Sequence, residues 1–528
     1  MTASKERLHH IAAVLPPAWG HTVGYLHLAV QMLAVDPTLV VTIVQHISVV
    51  PQVEKELSTA VYDKTRLKIL GVGSSDYPAV VGPADLAGMM SEIGASWLQL
   101  VEEYFASERK SEWPRPHALH FDMIPGGATI DATKALLGAN SQCKLVMWGP
   151  GPAYTMKTLV SELDYASLAA EIHADEAKRR GRSEEQIQID ILAAQNGTDV
   201  ISSSVMFGDE LGLPRMYDYE QNAYGAGSGS AGVQWGVMVC AQKLAREVDA
   251  IVVTSSPALE PVGLPYLKEW YRQGNGLGRG GKGQEMFALG LQTHEAYFAD
   301  GATLKIMDEK VRAFLDSALG EHGSNSVLYI SFGSFFFPIV QLPHVEALIN
   351  TLLSMSFPFV FALGGALARN ALPQDLIERV NAGGKGLICQ SWVEQRAILQ
   401  HEAVGWFLTH GGFNSITEAL VEGIPLMVWP VGAEQPLNAN YFSAEPTPIA
   451  FEFLQIRTDK QIGPSLRHPD VEITGAAEDA AKEFTAVFEA ARGDKGKRLR
   501  SNVRNLSVKM REARRGSALE EVKRLAKY

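Results

Sequence analysis

The sequence predicts an α/β protein built as two parallel-sheet halves, and three observations carry that prediction. Apolar runs of strand length alternate with amphipathic stretches of helix length, first near the N-terminus and again beyond Val311. At 528 residues the chain is long enough for more than one domain. Its composition, 46% hydrophobic and 20% charged, supplies more than one sizeable core and is too apolar for a disordered chain.

Taken in order, Ile11 to Leu15 reads as a buried strand, Pro16 to His21 as a Pro/Gly loop, Thr22 to Leu33 as a helix and Leu39 to Val44 as the next strand. That succession is a βαβ unit, whose right-handed crossover requires a parallel sheet. Ala118 to Phe121, Lys144 to Met147 and Ala250 to Val253 supply further strands. Tyr217 to Gly232 and Gly274 to Gly283 are rich in glycine and predict long loops. Gly227, Gly229 and Gly232 spell a dinucleotide fingerprint, and Gly276 to Lys282 approximates a P-loop. Neither follows a predicted strand, and Gly283 stands where a P-loop needs Ser or Thr, so both read as surface loops.

In the second half, Ser326 to Ser331, Phe359 to Leu363, Gly386 to Cys389, Trp406 to Thr409 and Leu426 to Trp429 are strands, and Pro343 to Met355 is a helix with proline in its first turn. The expected boundaries are a first domain at 1–290, a linker at 291–307, a second domain at 308–505 and a helix at 506–528 that packs back on the first domain.

Composition narrows the function. Lys plus Arg is 47 against 59 for Asp plus Glu, a net charge of −12, which disfavours a nucleic-acid partner. The basic run from Lys495 to Arg515 has no interleaved aromatic residues and reads as a solvated helix face. Cys143, Cys240 and Cys389 are too few and too scattered for a disulfide framework or a cysteine zinc site, and fit a reducing compartment. No uncharged apolar run reaches about 18 residues, and Met1 to Ala12 is no secretory leader, so the expectation is a soluble cytoplasmic protein without integral membrane association.

The chemistry concentrates between Trp392 and Gln435, where two strand–loop–helix units follow one another. In a parallel sheet both loops lie at the carboxyl ends of neighbouring strands, where open α/β sheets bind ligands. Gly411 and Gly412 let backbone approach a ligand, and Asn414 or Ser415 is placed to cap a helix running to Gly423. Such a helix N-terminus offers free N–H groups to a phosphate, with His410 as an added donor. Glu418, one turn beyond Asn414, can accept two ribose hydroxyls; Trp392 offers a flat face to a base with Gln395 nearby; Glu434 and Gln435 can hold sugar hydroxyls.

The run Trp392, Gln395, His401, Gly405, Phe407, Thr409, His410, Gly412, Asn414, Ser415, Glu418, Gly423, Pro425, Pro430, Glu434 and Gln435 resembles the signature box of the family 1 UDP-sugar glycosyltransferases of plant secondary metabolism. Leu328 to Ser334 is similar to the family's strand and first phosphate loop, and Pro16 to His21 to its N-terminal loop. Phe413 stands for the family's usual Trp, Gly411 for a common Cys and Gly432 for a frequent Trp.

The resemblance implies the glycosyltransferase B fold, two Rossmann-like domains facing each other across a cleft, the first binding acceptor and the second the nucleotide sugar. It implies that Trp392 stacks on uracil and Val393 pairs with it through its backbone, and that Gln395 and Glu418 hold the ribose. Ser334, His410, Asn414 and Ser415 bind the diphosphate beside Gly412, and Glu434 and Gln435 bind the sugar, glucose being the donor that usually accompanies Gln at that position. His21 is the candidate base, neutral at pH 7 if its pKa lies near the ordinary 6.5 or so, and Asp122 matches the carboxylate that orients it. No covalent nucleophile is indicated, so transfer inverts the anomeric centre, and no metal is needed beyond the donor UDP-glucose or another UDP-sugar. The expected function is glucosylation of a small apolar hydroxylated acceptor by a monomer. A sterol or lipid glucosyltransferase and a non-catalytic UDP-sugar-binding protein are the alternatives.

Overall fold

A computed structural model of the chain describes residues 8–77, 83–108, 111–159, 164–196, 205–206, 209–221, 231–276, 278–298, 304–365, 367–458 and 461–528. The chain divides into two compact units. The first comprises Met1–Ile191, Ala231–Glu295 and Glu512–Tyr528, and the second Leu192–Ser230 and Ala296–Arg511.

In chain order the strands through residue 288 are β1 (His9–Val14), β2 (Leu39–His46), β3 (Leu67–Val72), β4 (Pro116–Asp122), β5 (Lys144–Gly149), β6 (Val205–Met206), β7 (Met216–Tyr217), β8 (Ala250–Val253) and β9 (Glu285–Ala288). The first unit is built on a seven-stranded sheet of order β3-β2-β1-β4-β5-β8-β9, parallel throughout. Strands such as Leu-Val-Val-Thr-Ile-Val-Gln-His in β2 are buried at every position because helices cover both faces. Leu26 and Ala29 of the helix Trp19–Val35 pack with Ile11, Val41 and Phe287, and Val522 and Leu525 of the helix Ser517–Ala526 complete the same core. Gly127 lets the helix Met123–Leu137 lie against the helix Ala231–Glu247, since a Cβ there would sit 2.1 Å from the Cys240 carbonyl oxygen.

The second unit contains β10 (Val327–Ser331), β11 (Phe359–Ala362), β12 (Gly386–Cys389), β13 (Val404–Thr409), β14 (Leu426–Val428) and β15 (Ala450–Glu452). They form a six-stranded parallel sheet of order β12-β11-β10-β13-β14-β15. Its core runs from Leu328, Ile330 and Phe361 through Trp406 and Trp429 to Phe484 and Phe488 of the helix Ala477–Arg492. The antiparallel ribbon β6–β7 belongs to this unit. Behind the ribbon, Glu220 is buried and accepts from Arg457 Nη1 at 2.9 Å, Ser465 Oγ at 2.8 Å, Leu466 N at 3.1 Å and Tyr217 N at 3.0 Å. A carboxylate out of water needs that full set of partners, and Arg457 is in turn shared with Glu452.

Two expectations change. The Tyr217–Gly232 stretch is not one loop: a 3-10 turn occupies Asp218–Gln221 and Gly232 lies in the first turn of the helix Ala231–Glu247, while Gly227 and Gly229 fall outside the described residues. The basic run is not simply a solvated face either. It forms the helix Asp494–Arg515, whose Leu499, Val503 and Met510 are buried. Arg500 lies over the Trp406 ring at 5.3 Å and donates to the Gly405 carbonyl at 2.8 Å, so the aromatic partner comes from β13 and not from the helix itself. Gly278 to Lys282 form a packed turn, with Gly278 and Gly281 at positive φ and Arg279 N bonded to the Val248 carbonyl, while residue 277 lies outside the described residues.

Candidate active site

In the first unit the register Val14↔Phe121 sets the chain leaving β1 beside the end of β4. The helix begins at Trp19, earlier than the sequence suggests, so His21 sits in its first turn and not in a loop. Thr22 Oγ1 donates to the Pro16 and Ala18 carbonyls, and Gln45 Nε2 donates to the Pro16 carbonyl at 3.0 Å and to Thr22 Oγ1 at 2.8 Å, which pins the turn. Trp148 Nε1 donates to the His21 carbonyl at 3.0 Å.

Asp122 closes β4 with no exposed surface. Its Oδ1 caps Ile124 N at 3.1 Å and its Oδ2 accepts from His21 Nδ1 at 2.7 Å. A carboxylate at Nδ1 requires the proton on that nitrogen and puts the imidazole lone pair on Nε2. The neighbouring histidines are otherwise engaged: His27 with Glu56 at 2.8 Å, His10 with the Pro114 carbonyl and Thr42. Asp131, the nearby alternative carboxylate, is 65% exposed and pairs with Lys243.

In the second unit the loops after β10, β12, β13 and β14 all leave the carboxyl ends of the parallel strands. Ser334 follows β10 through Gly333, which takes φ 77°. His410 follows β13, is buried, and is boxed by glycine: a Cβ on Gly412 would lie 2.4 Å from its Nε2 and one on Gly333 2.8 Å from its Cε1. Burial pushes the His410 imidazole down to about 4, so at neutral pH it acts as an uncharged hydrogen-bonding group.

The helix that follows is Phe413–Glu422, and its N-cap is Gly412, not Asn414 or Ser415. Those two lie inside the first turn. The helix starts early because Phe413 is buried and its N–H meets Glu434 Oε1 at 3.4 Å. Gly412, having no side chain, supplies no capping oxygen to this turn.

Trp392 is 54% exposed after β12, while the next residue, Val393, is buried. Gln395 and Glu418, read separately from the sequence, meet directly: Gln395 Nε2 donates to Glu418 Oε2 at 2.7 Å, and Tyr329 Oη donates to Gln395 Oε1 at 3.3 Å. Arg396 Nε donates to the other oxygen of Glu418 at 3.0 Å and its guanidinium stacks 5.1 Å from the Tyr297 ring centroid. Arg396 and Tyr297 were not legible as site residues, since an arginine beside a motif glutamine carries no spacing signal. After β14, Gln435 Oε1 accepts from Val431 N and Gly432 N, both at 2.8 Å, and Ala433 takes φ 54° immediately before Glu434. Gln435 therefore holds its own turn with its carbonyl oxygen and has its amide N–H groups to offer a ligand.

Among the described residues no group of three or more His, Cys, Asp or Glu could hold a metal ion, and no helix is long and apolar enough to cross a membrane.

Comparison with known proteins sets these arrangements in context. Residues 300–462 match the family model described as UDP-glucoronosyl and UDP-glucosyl transferase. The chain is 31% identical over 275 residues to the UDP-glycosyltransferase eriJ of Hericium erinaceus, covering 51% of this chain and 52% of that protein. It is 40% identical over 136 residues to nuatigenin 3-beta-glucosyltransferase of Solanum aculeatissimum, 26% of this chain and 27% of that one. The chain thus spans about half or less of the length of the curated relatives it matches. The crystal structure of Medicago truncatula UGT71G1 complexed with UDP-glucose superimposes with a TM-score of 0.66 at 16% identity, covering 98% of both chains, which establishes the glycosyltransferase B fold.

Proposed function

Because residues 300–462 carry the UDP-glycosyltransferase family region, we propose that the chain is an inverting UDP-glycosyltransferase that transfers glucose from UDP-glucose to a hydroxyl of a small apolar acceptor, a phenol or another secondary metabolite. One observation carries the reading. Trp392 and Gln395 follow β12, His410 and the first turn of the helix Phe413–Glu422 follow β13, all at carboxyl ends of one parallel sheet, and Gln395 is bonded to Glu418 of that helix. Those loops carry a flat aromatic face, hydroxyl acceptors and helix N-terminal N–H groups, the three kinds of partner a nucleoside diphosphate needs.

In this reading residues 308–505 hold the donor and residues 1–290 the acceptor, with 506–528 returning to the first domain. Trp392 stacks on uracil and the Val393 backbone pairs with it. Gln395 and Glu418 take the ribose, while Ser334, His410, Asn414 and Ser415 take the diphosphate. Glu434 and the Gln435 amide take the sugar. The acceptor hydroxyl gives its proton to His21 Nε2, its oxygen forms the new bond to the anomeric carbon, and the bond to the diphosphate breaks. UDP leaves with the pair of electrons, its charge met by helix N–H dipoles, and Asp122 stabilises the imidazolium. A single displacement from an α-linked donor gives a β-glycoside. The enzyme acts as a cytoplasmic monomer.

The test is UDP release on incubation with UDP-glucose and a panel of phenols, flavonoids, sterols and fatty alcohols, with the product anomer read by NMR. Release with none of the acceptors overturns the reading, as does full turnover by His21→Ala.

A further inference from the structure

The three phenylalanines after Ser334 have three different fates. Phe337 is buried in the core of the second unit, Phe335 is 59% exposed, and Phe336 is half-buried between two parts of the site. The Phe336 ring stacks on His410 with centroids 5.7 Å apart and planes at 29°. Its Cε1 lies 3.0 Å from where a Cβ on Gly432 would stand, with Cδ1 at 3.7 Å and Cζ at 3.8 Å. Gly432 belongs to the turn held by Gln435 Oε1, one residue before the strained Ala433. One ring therefore touches both the histidine at the diphosphate end and the turn that presents Glu434 and Gln435. It also fills the volume a side chain at 432 would take.

We propose that Phe336 is the residue that sets the size of the donated sugar: it forms the wall of the sugar end of the donor site and restricts the donor to a hexose without a bulky ring substituent. The inference rests on the donor-site reading above and deepens it. The physical reason is packing. A flat ring with one face against an uncharged imidazole and its Cε1 edge against the Gly432 turn cannot turn aside without losing both contacts, so it excludes larger donors by its fixed position. Truncation to alanine opens space next to Gly432 without removing any group assigned to UDP.

The experiment compares kcat/KM for UDP-glucose and UDP-N-acetylglucosamine in wild type, Phe336→Ala, Phe336→Leu, Gly432→Trp and the double variant Phe336→Ala/Gly432→Trp, with UDP affinity by calorimetry throughout. Phe336→Ala is expected to shift the donor ratio toward the larger sugar by about tenfold or more, the scale on which a pocket discriminates one added group. UDP affinity should stay within about twofold of wild type. Gly432→Trp is expected to lose UDP-glucose turnover because the indole meets the Phe336 ring, and the double variant to recover it, a non-additivity that independent sites do not show. Phe336→Leu keeps the test available if the alanine variant does not fold, with a smaller shift of the same sign. An unchanged donor ratio in a folded, UDP-binding Phe336 variant overturns this inference alone. A wild type that transfers no sugar at all overturns the functional reading and this inference with it.

Discussion

Asp122→Asn separates the carboxylate's chemical role from its structural one. Asp122 makes two bonds from a fully buried position: Oδ1 caps Ile124 N at 3.1 Å and Oδ2 meets His21 Nδ1 at 2.7 Å. Asparagine can keep the cap with its carbonyl oxygen, but its amide then donates to Nδ1. That nitrogen must accept, which moves the imidazole proton to Nε2 and removes the lone pair that takes the acceptor's proton. Losing the charge-assisted bond alone costs about 1.5–3 kcal/mol of imidazolium stabilisation, roughly 10- to 150-fold in rate. Losing the base as well brings the loss to about 10²–10⁴-fold.

Asp122→Ala leaves the ring free to choose its tautomer and should lose only the smaller factor in rate, yet about 1 kcal/mol more in stability because the cap goes. The two variants should therefore rank in opposite orders for kcat and for thermal stability. Initial rates of UDP release and thermal melts of both, with UDP affinity as a control, decide it. A kcat for Asp122→Asn within about threefold of wild type, or the same rank order in both assays, refutes the reasoning.

Four further outcomes follow from the geometry. Trp392→Ala should weaken UDP binding by about 1–3 kcal/mol, the worth of one base stacked on an aromatic face, as read by calorimetry. Gly412→Ala should fold but lose at least about tenfold in UDP affinity, because its methyl meets His410 Nε2 at 2.4 Å and the ring must leave its box. Glu220→Ala strands Arg457 without its nearest carboxylate and should lower unfolding free energy by about 3–5 kcal/mol in urea titration. As for pH, burial pushes His117 and His410 down to about 4 and His120 to about 3. The unfolded chain then takes protons that the native state refuses, so their contribution is complete above about 6.5 and is lost as pH falls from there toward 4. Glu483, pushed up to about 7 by burial, works the other way above the ordinary glutamate range, as do Glu260 and Glu422, which burial also raises, but the histidines, His468 among them, carry the larger share. Thermal midpoints should fall from pH 6.5 to 4.5, and a rise over that interval contradicts the assignment.

How far the sequence could be read follows from what each element buries. The strands β2, β5, β8, β10 and β13 were visible because parallel strands covered on both faces are continuous apolar runs. β3 was not, since at the sheet edge its Leu-Lys-Ile-Leu-Gly-Val stays partly exposed, and neither was β15, whose Ala-Phe-Glu at the edge of the second sheet contains no apolar run. The positions of Trp392, His410 and Glu418 came from strand-loop-helix spacing. The partnership of Gln395 and Glu418, 23 residues apart, is tertiary, and so is the grip of Gln45 on the Pro16 turn. The misplaced cap has a local cause: Asn414 advertises itself as a cap by its side chain, whereas burial of Phe413 draws the helix start back to Gly412. Arg500 looked like a solvent-facing charge because nothing in its own helix shows that Trp406 waits on β13.

The helix Ser517–Ala526 has a consequence for how the chain is made. Val522, Leu525 and Ala526 share a core with Ile11, Tyr25 and Leu26, and the Ala518 methyl lies 2.9 Å from where a Cβ on Gly290 would stand. Residues 296–511 of the other unit are synthesised in between. On the ribosome, therefore, the first sheet is laid down early but must wait, with an apolar face uncovered, until the whole second unit has emerged and the closing helix arrives. Ile11, Tyr25 and Leu26, translated before that unit, are therefore among the last core residues to be sealed.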